Sequence, residues 1–518
     1  MPDRPSHFCD VLARWVRERP DVEALRFEDR TWTWAELAER VGRNAGAQRA
    51  AGLRPGARVA VLDLNHPSCL ELTLACAQVG TANVVVNFRL TAPEVAYVIN
   101  DSGAELLFVG PEFAELVDGL GDQLESVRQV IRVGGEDDEY ESWLAAEPDT
   151  DVHPADPEDC FLQLYTSGTT GFPKGAMLTH RALIAHSADV VEEFGTTPDS
   201  KQLVAMPLFH VGGSAYALVG IYAGATMTII RQPDPARLLR LLEERRITHT
   251  FFVPALMAMM AEVPGAADHD YSALQVLAYG ASPMPLPVLR ACMKIFPSVF
   301  LQVYGMTEAC GVVTALGPAE HADEDNRQRL ISAGKPIVGV RIEIRDPDSG
   351  GAVAHGEQGE VWVRSQQLMG GYWGKPDATG SALTEDGWYR SGDAGRFDDD
   401  GYLYITDRIK DMIISGGENI YPAEIERVLA EHPSVGDLTV VGVPDDKWGE
   451  VPKAVVVPAR GQPVDEQELL AYCREHLAGY KCPKSVDVVD ELPRNPTGKI
   501  LKKDVRAKYW DGRDRQTV

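Results

Sequence analysis

Residues 165–175 read YTSGTTGFPKG, with hydroxyls at Thr166, Ser167, Thr169 and Thr170, glycines at Gly168, Gly171 and Gly175, and an ammonium at Lys174. Glycine lets the backbone turn its N–H groups toward a ligand, while hydroxyls and an ammonium add donors, so the combination makes a cradle for phosphate oxygens. The run continues from an apolar, strand-like stretch, FLQLY, which puts the cradle at a strand end. It is not the GxxxxGK[ST] nucleotide loop, because Lys174 stands at the wrong distance from Gly171 and is followed by Gly175. Four hydroxyls, three glycines and a lysine in one short run also argue against a plain polar linker.

Around this loop the chain alternates strand-like and helix-like signals. Residues 59–64 (VAVLDL), 83–87 (NVVVN) and 106–109 (LLFV) are short β-rich runs, and residues 67–79 between them show helical spacing of apolar side chains. The alternation returns at residues 227–230, 250–253, 276–279 and 299–303. Such alternation predicts an α/β fold with largely parallel sheets. Near Gly334 the texture changes to turns and short strands (GEVWVRS, DDDGYLYITDR), which predicts a small β-rich subdomain. After Asp407 a shorter mixed segment follows, with helices predicted over residues 423–431 and 465–477 and strands over 438–443 and 454–457. The predicted architecture is a large N-terminal domain, residues 1–408, of two α/β subdomains with parallel sheets plus the β-rich one. A small α+β C-terminal domain, residues 409–518, completes it.

Bulk properties narrow the function classes. With 518 residues, 44% hydrophobic and 25% charged, the chain reads as a globular enzyme of more than one domain. A net charge of −27 and the lack of any basic run exclude nucleic acid as an expected partner. Eight cysteines without metal-like spacing fit reduced thiols, and the charged N-terminus lacks an export signal, so a cytoplasmic location is expected. Residues 203–230 carry no charge and are long enough to span a bilayer. Pro207, His210, Gly212, Gly213, Gly220 and Gly224 interrupt them, so strand, loop and buried helix are expected there instead of a transmembrane segment. Peripheral membrane contact and a homodimer stay open.

Further blocks follow the loop in order: YGMTE at 304–308, GWYRSGD at 387–393, DRIKDMIISGGENIYP at 407–422 and PRNPTGK at 493–499. Tyr304 offers an aromatic face for an adenine, and Glu308 a hard oxygen of the kind Mg²⁺ takes beside phosphates. Together with the loop, these blocks resemble the AMP-forming adenylating superfamily of acyl-CoA synthetases, nonribosomal adenylation domains and beetle luciferases, from about residue 20 to residue 505. That resemblance implies an ATP-dependent ligase whose substrates are a small carboxylic acid, ATP and CoA, with Mg²⁺ as the metal. It implies that Thr166, Ser167, Gly168, Thr169, Thr170, Gly171 and Lys174 hold the phosphates, and that Gly280, Ala281, Ser282 and Tyr304 face adenine. It also implies that Thr307 donates to the α-phosphate, that Asp393 and Arg408 meet the ribose, and that Glu308 holds the metal. Lys499 is then the catalytic cation, bridging two anions whose shared charge exists only in the transition state. Lys410 occupies the hinge, after whose rotation Gly416 and Gly417 line a thiol tunnel.

Relatives that activate amino acids carry an aspartate near MPLFHVGG (206–213), since a buried ammonium needs a counter-charge. Phe209 and His210 stand there, so an acid without an α-amino group is expected, with His210 as an aromatic gate. His210, Tyr279, Gly280, Gly305, Cys310 and Gly311 are the expected acyl pocket, with Gly311 leaving depth. A medium- or long-chain fatty acid is the first expectation, and an aryl acid of the hydroxycinnamate type also fits. CoA is expected as acceptor, with Trp448, Tyr480 and Lys481 resembling the surface that meets its nucleotide. A separate carrier protein stays open. A phosphotransferase that cleaves at the γ-phosphate and a luciferase-like oxygenase are the competing classes. Ser365 and Asp407 depart from the family's usual glycines.

Overall fold

The computed structural model describes residues 5–149, 151–153, 156–166, 173–297, 299–347, 349–415, 418–445, 447–494 and 500–510, without the side chains of 324–327, 410, 418 and 419. The helix Pro67–Val79 shows how the sequence sets an element. Pro67 starts it, the His66 side chain accepts from Ser68 N–H, and Gly80 ends it at φ 83°. Every residue of that helix is buried, because it crosses between the parallel strands Arg58–Leu62 and Ala82–Val85.

Those strands belong to a six-stranded sheet ordered Gln129–Arg132, Ala104–Val109, Arg58–Leu62, Ala82–Val85, Cys160–Thr166 and Lys174–Thr179. All its pairs are parallel except the last. A second sheet has nine strands. Its inner part, Phe300–Met306, Val276–Gly280, His249–Phe252, Lys201–Val204, Thr226–Ile229 and Glu23–Phe27, is parallel throughout, and both margins are antiparallel. The uncharged stretch 203–230 thus resolves into strand ends around the buried helix Val211–Ala223. No helix among the described residues is long and apolar enough to cross a membrane.

The β-rich segment is a four-stranded antiparallel sheet of Val340–Arg345, Gly359–Ser365, Tyr389–Phe397 and Leu403–Arg408. One large core joins side chains of both α/β sheets, such as Val61, Leu162, Ala278 and Leu301, with Val361 and Val363 of this third sheet. The remaining sheet, built on Val435–Asp445 and Gly449–Pro458, packs a separate core of Ile413, Ile425, Leu429, Val440 and Val456. The α/β assignment and the alternation therefore hold. Strand limits differ from the periodicity by up to five residues, the largest at the start of Gly449–Pro458, since apolar runs mark burial while strand ends follow hydrogen bonding.

Candidate active site

The phosphate-loop candidate closes an antiparallel hairpin. Cys160–Thr166 pairs with Lys174–Thr179 up to the Thr166–Lys174 pair, so both flanks of the loop emerge from a fixed sheet edge. Ser167, Gly168, Thr169, Thr170 and Gly171 lie outside the described residues. The flanks are anchored from below: Tyr165 donates to Asp101 Oδ2 at 2.8 Å, Lys375 pairs with Asp101 Oδ1 at 2.8 Å, and Tyr97 donates to the Pro173 carbonyl at 3.2 Å. A Cβ at Gly175 would sit 2.5 Å from Gln163 Nε2, so any larger residue there would have to displace the Gln163 amide.

Glu308 is buried beside Thr166, at the strand end that leads into this loop. Its Oε1 accepts from Tyr372 Oη at 2.8 Å and Thr166 Oγ1 at 3.3 Å. Tyr372 arrives on a segment that runs along Lys174–Thr179, tied by Met177 N–H to Gly371 O and Trp373 N–H to Gly175 O. The Lys174 ammonium lies 5.3 Å from the Tyr372 ring centroid. One carboxylate oxygen is thus oriented by two donors, and no protein donor is recorded at Oε2 among the described residues. A single hard oxygen at the flank of the candidate phosphate loop is the kind of ligand Mg²⁺ takes, since that ion keeps most of its waters and shares phosphate ligands. No group of three or more His, Cys, Asp or Glu side chains that could hold a metal alone is present among the described residues.

The second half of the site joins three of the sequence blocks. Asp393, 4% exposed, accepts from Tyr304 Oη at 2.5 Å and pairs with Arg408 Nε at 2.6 Å. Asp393 holds the Arg408 guanidinium above its ordinary value, and burial, with Asp393 beside it, pushes the Tyr304 phenol well up. The adjacent backbone is strained: Ala281 has φ 66° and Cys310 φ 57°, conformations that non-glycine residues rarely adopt and that gather at functional sites. Ala281 and Ser282 follow the strand Val276–Gly280, and Thr307 begins the short turn Thr307–Ala309 that carries Glu308.

The acyl-pocket residues divide. His210 caps the helix Val211–Ala223, its Nδ1 accepting from Gly212 N–H at 3.1 Å, which fixes the ring at the helix mouth. Asn65 clamps the preceding turn, donating to Met206 O at 3.0 Å and accepting from Leu208 N–H at 2.8 Å. Tyr279, expected as pocket lining, is fully buried in a core cluster with Phe300, and its hydroxyl bonds His321 Nε2 at 2.8 Å. Strand alternation sends it to the face opposite Ala278. Gly311 does not leave depth either: at φ 133°, a Cβ there would meet His186 Nε2 at 2.6 Å, and His186 accepts from Val312 N–H. Gly280 and Gly305 are forced by backbone approach, to Val303 O and Gly311 O respectively.

The hinge side chain Lys410 and the backbones of Gly416, Gly417 and Lys499 lie outside the described residues. Trp448 and Tyr480 are exposed, and Lys481 pairs with Glu424 at 2.8 Å. Asp407, the departure from glycine, is buried, accepts from Arg408 N–H at 2.7 Å and Ala423 N–H at 2.9 Å, and faces Lys502 at 3.6 Å. Burial outweighs Lys502 and pushes its carboxyl from 3.8 up to about 6. A carboxyl raised on folding favours the protonated fold, so its stabilisation is complete below about pH 4 and lost as pH rises through about 6. Melting temperatures measured from pH 4 to 7 should therefore lose this falling contribution in Asp407→Asn. An unchanged slope would remove the assignment.

The AMP-binding enzyme family matches residues 12–373, and the AMP-binding enzyme C-terminal domain family matches residues 424–499. The chain belongs to the AMP-binding enzymes, as an acyl-CoA ligase of the adenylate-forming superfamily. It is 43% identical to a feruloyl-CoA synthase of an Amycolatopsis species, over 96% of this chain and 98% of that protein. It is 36% identical to the long-chain-fatty-acid–CoA ligase FadD13 of Mycobacterium tuberculosis, over 92% and 93%. Among solved structures, ATP-bound MatB from Rhodopseudomonas palustris superposes with a TM-score of 0.88 at 30% identity, covering 96% of this chain and 98% of that one.

Proposed function

We propose that the protein ligates an aryl carboxylic acid of the hydroxycinnamate type to CoA through an acyl-adenylate. The 43% identity to a feruloyl-CoA synthase over nearly the whole chain carries this reading of the acid. Apolar surroundings at Phe209 and the absence of a carboxylate at residues 206–213 support an uncharged acyl group. In the first step a carboxylate oxygen attacks the α-phosphorus, and the bond to the β-phosphate breaks with pyrophosphate leaving. In the second the CoA thiolate attacks the acyl carbon, and the C–O bond to AMP breaks.

Thr166, Lys174 and the loop between them hold the phosphates, Tyr304 stacks adenine, and Asp393 with Arg408 takes the ribose. Glu308 would hold Mg²⁺, whose charge neutralises the phosphates. A medium- or long-chain fatty acid is the second reading, supported by the 36% identity to FadD13. Pyrophosphate release with hydroxycinnamates, cinnamate and alkanoates of graded length, with and without CoA, decides between them. ADP in place of AMP would overturn both.

The domain division at residue 408 enters the proposal too. The four-stranded sheet ends at Arg408 and a separate core begins at Ile413, so the turn Ile409–Asp411 is the natural pivot. Proline fixes φ and removes an N–H, so Lys410→Pro should slow thiolysis by roughly tenfold or more while adenylation persists. An unchanged thiolysis rate would withdraw the pivot.

A further inference from the structure

At Lys502 the chain returns to its own pivot. This lysine opens the helix Lys502–Ala507, and its side chain is 17% exposed. On one side its ammonium meets Glu426 at 3.0 Å, and Glu426 is fixed after the pivot by Val440 N–H at 2.7 Å and Thr439 Oγ1 at 3.0 Å. On the other side it faces Asp407 at 3.6 Å, in the strand Leu403–Arg408 before the pivot. Asp407 crosses the pivot a second time. Its Oδ2 accepts from Ala423 N–H at 2.9 Å, in the first turn of the helix Pro422–Leu429, whose N-cap residue Tyr421 supplies no side-chain acceptor. Rotation about Ile409–Asp411 must part Asp407 from Ala423 and Lys502, while Lys502 keeps Glu426.

Burial draws the pKa of this ammonium down, and Glu426, Asp407 and Asp411 outweigh burial and hold it above its ordinary value. Asp411 has Arg506 beside it at 3.6 Å, and Glu426 has its two donors after the pivot. Asp407 is the carboxylate that depends on Lys502 to stay charged where it is buried. Taking the cation from a buried pair leaves the other charge uncompensated, which disfavours the arrangement that buries it far more than loss of an exposed pair does. We infer that Lys502 is a positioning residue for the two-step reaction: its ammonium clamps the strand before the pivot to the helices after it, and so favours the half-reaction that this orientation serves. The inference rests on the pivot proposed above, and it holds for either acid.

The test is a cycle of Lys502→Met, Asp407→Asn and the double variant, run with whichever of 4-hydroxycinnamate and decanoate the wild type activates. Adenylation is followed as acid-dependent pyrophosphate release without CoA, and thiolysis as CoA consumption by preformed acyl-adenylate. Lys502→Met should shift the ratio of the two rates by about tenfold or more, with one of them staying within about threefold of the wild type. In the Asp407→Asn background the same substitution should move the ratio by less than about threefold, because no charge before the pivot is left unpaired. Lys453→Gln, which breaks a pair with Asp487 wholly after the pivot, should lower the melting temperature and leave the ratio alone. Equal loss of both half-reactions in Lys502→Met, or a shift that persists beside Asp407→Asn, overturns the inference. Should Lys502→Met not fold, Lys502→Gln, whose amide keeps a donor for Glu426, takes its place in the cycle. Failure of both to fold gives the ammonium to the C-terminal core alone and overturns the inference too. If Lys410→Pro separates the half-reactions and Lys502→Met does not, the clamp falls and the pivot stands. If neither separates them, the pivot falls and the clamp with it.

Discussion

Lys499→Ala should cut acid-dependent pyrophosphate release by about a thousandfold or more, while thiolysis of a preformed acyl-adenylate stays within about threefold. The attacking carboxylate and the α-phosphate are both anionic, so a cation between them acts on charge that is shared only at the transition state. Neighbouring lysines offer no substitute. Lys502 is held at 3.0 Å by Glu426 and faces Asp407, and Lys503 and Lys508 are exposed. The segment that carries Lys499 leaves and re-enters through a bridge between Arg494 and Ile500, and Arg494 is itself paired with Asp437, so the flanks are fixed. Separating the half-reactions is essential, because misfolding would damage both. Equal loss of adenylation and thiolysis would count against the bridging role.

How much of this was legible in the sequence follows from how local each signal is. The helix Pro67–Val79 could be read to the residue because proline and glycine mark its two ends. The loop after Tyr165, Glu308 and Asp393 stand in short runs whose residue types state their chemistry, and the fold brings Tyr304, Asp393 and Arg408 into contact. Their supports were not legible. Tyr372 reaches Glu308 from 64 residues away, and Asp101 reaches Tyr165 from the same separation in the other direction, with no periodicity linking either pair. Tyr279 shows the complementary error: its position was legible, but which face of its strand the side chain takes depends on sheet pairing. Gly311 looked like room for substrate, and the room belongs to His186. A glycine signals close approach without saying what approaches.

Asp393→Ala should lower kcat/KM for ATP by about a hundredfold, and the loss should come from the ribose. In the free protein Asp393 satisfies both Tyr304 and Arg408, so removing it leaves a half-buried phenol and a guanidinium without their shared acceptor. Part of the loss would then come from a shifted Tyr304 ring and not from ribose recognition. Asp393→Asn separates the two, since the amide keeps an oxygen for one neighbour while giving up the charge. ATP lacking the 2′- and 3′-hydroxyls supplies the other side of the cycle. If Asp393 receives the ribose, wild type and Asp393→Asn should converge on that nucleotide, because the interaction is already absent. Independent losses that multiply would mean that Asp393 only braces Tyr304 and Arg408. The Tyr304–Asp393–Arg408 contacts would then be a structural strut, and the ribose would have to be held elsewhere.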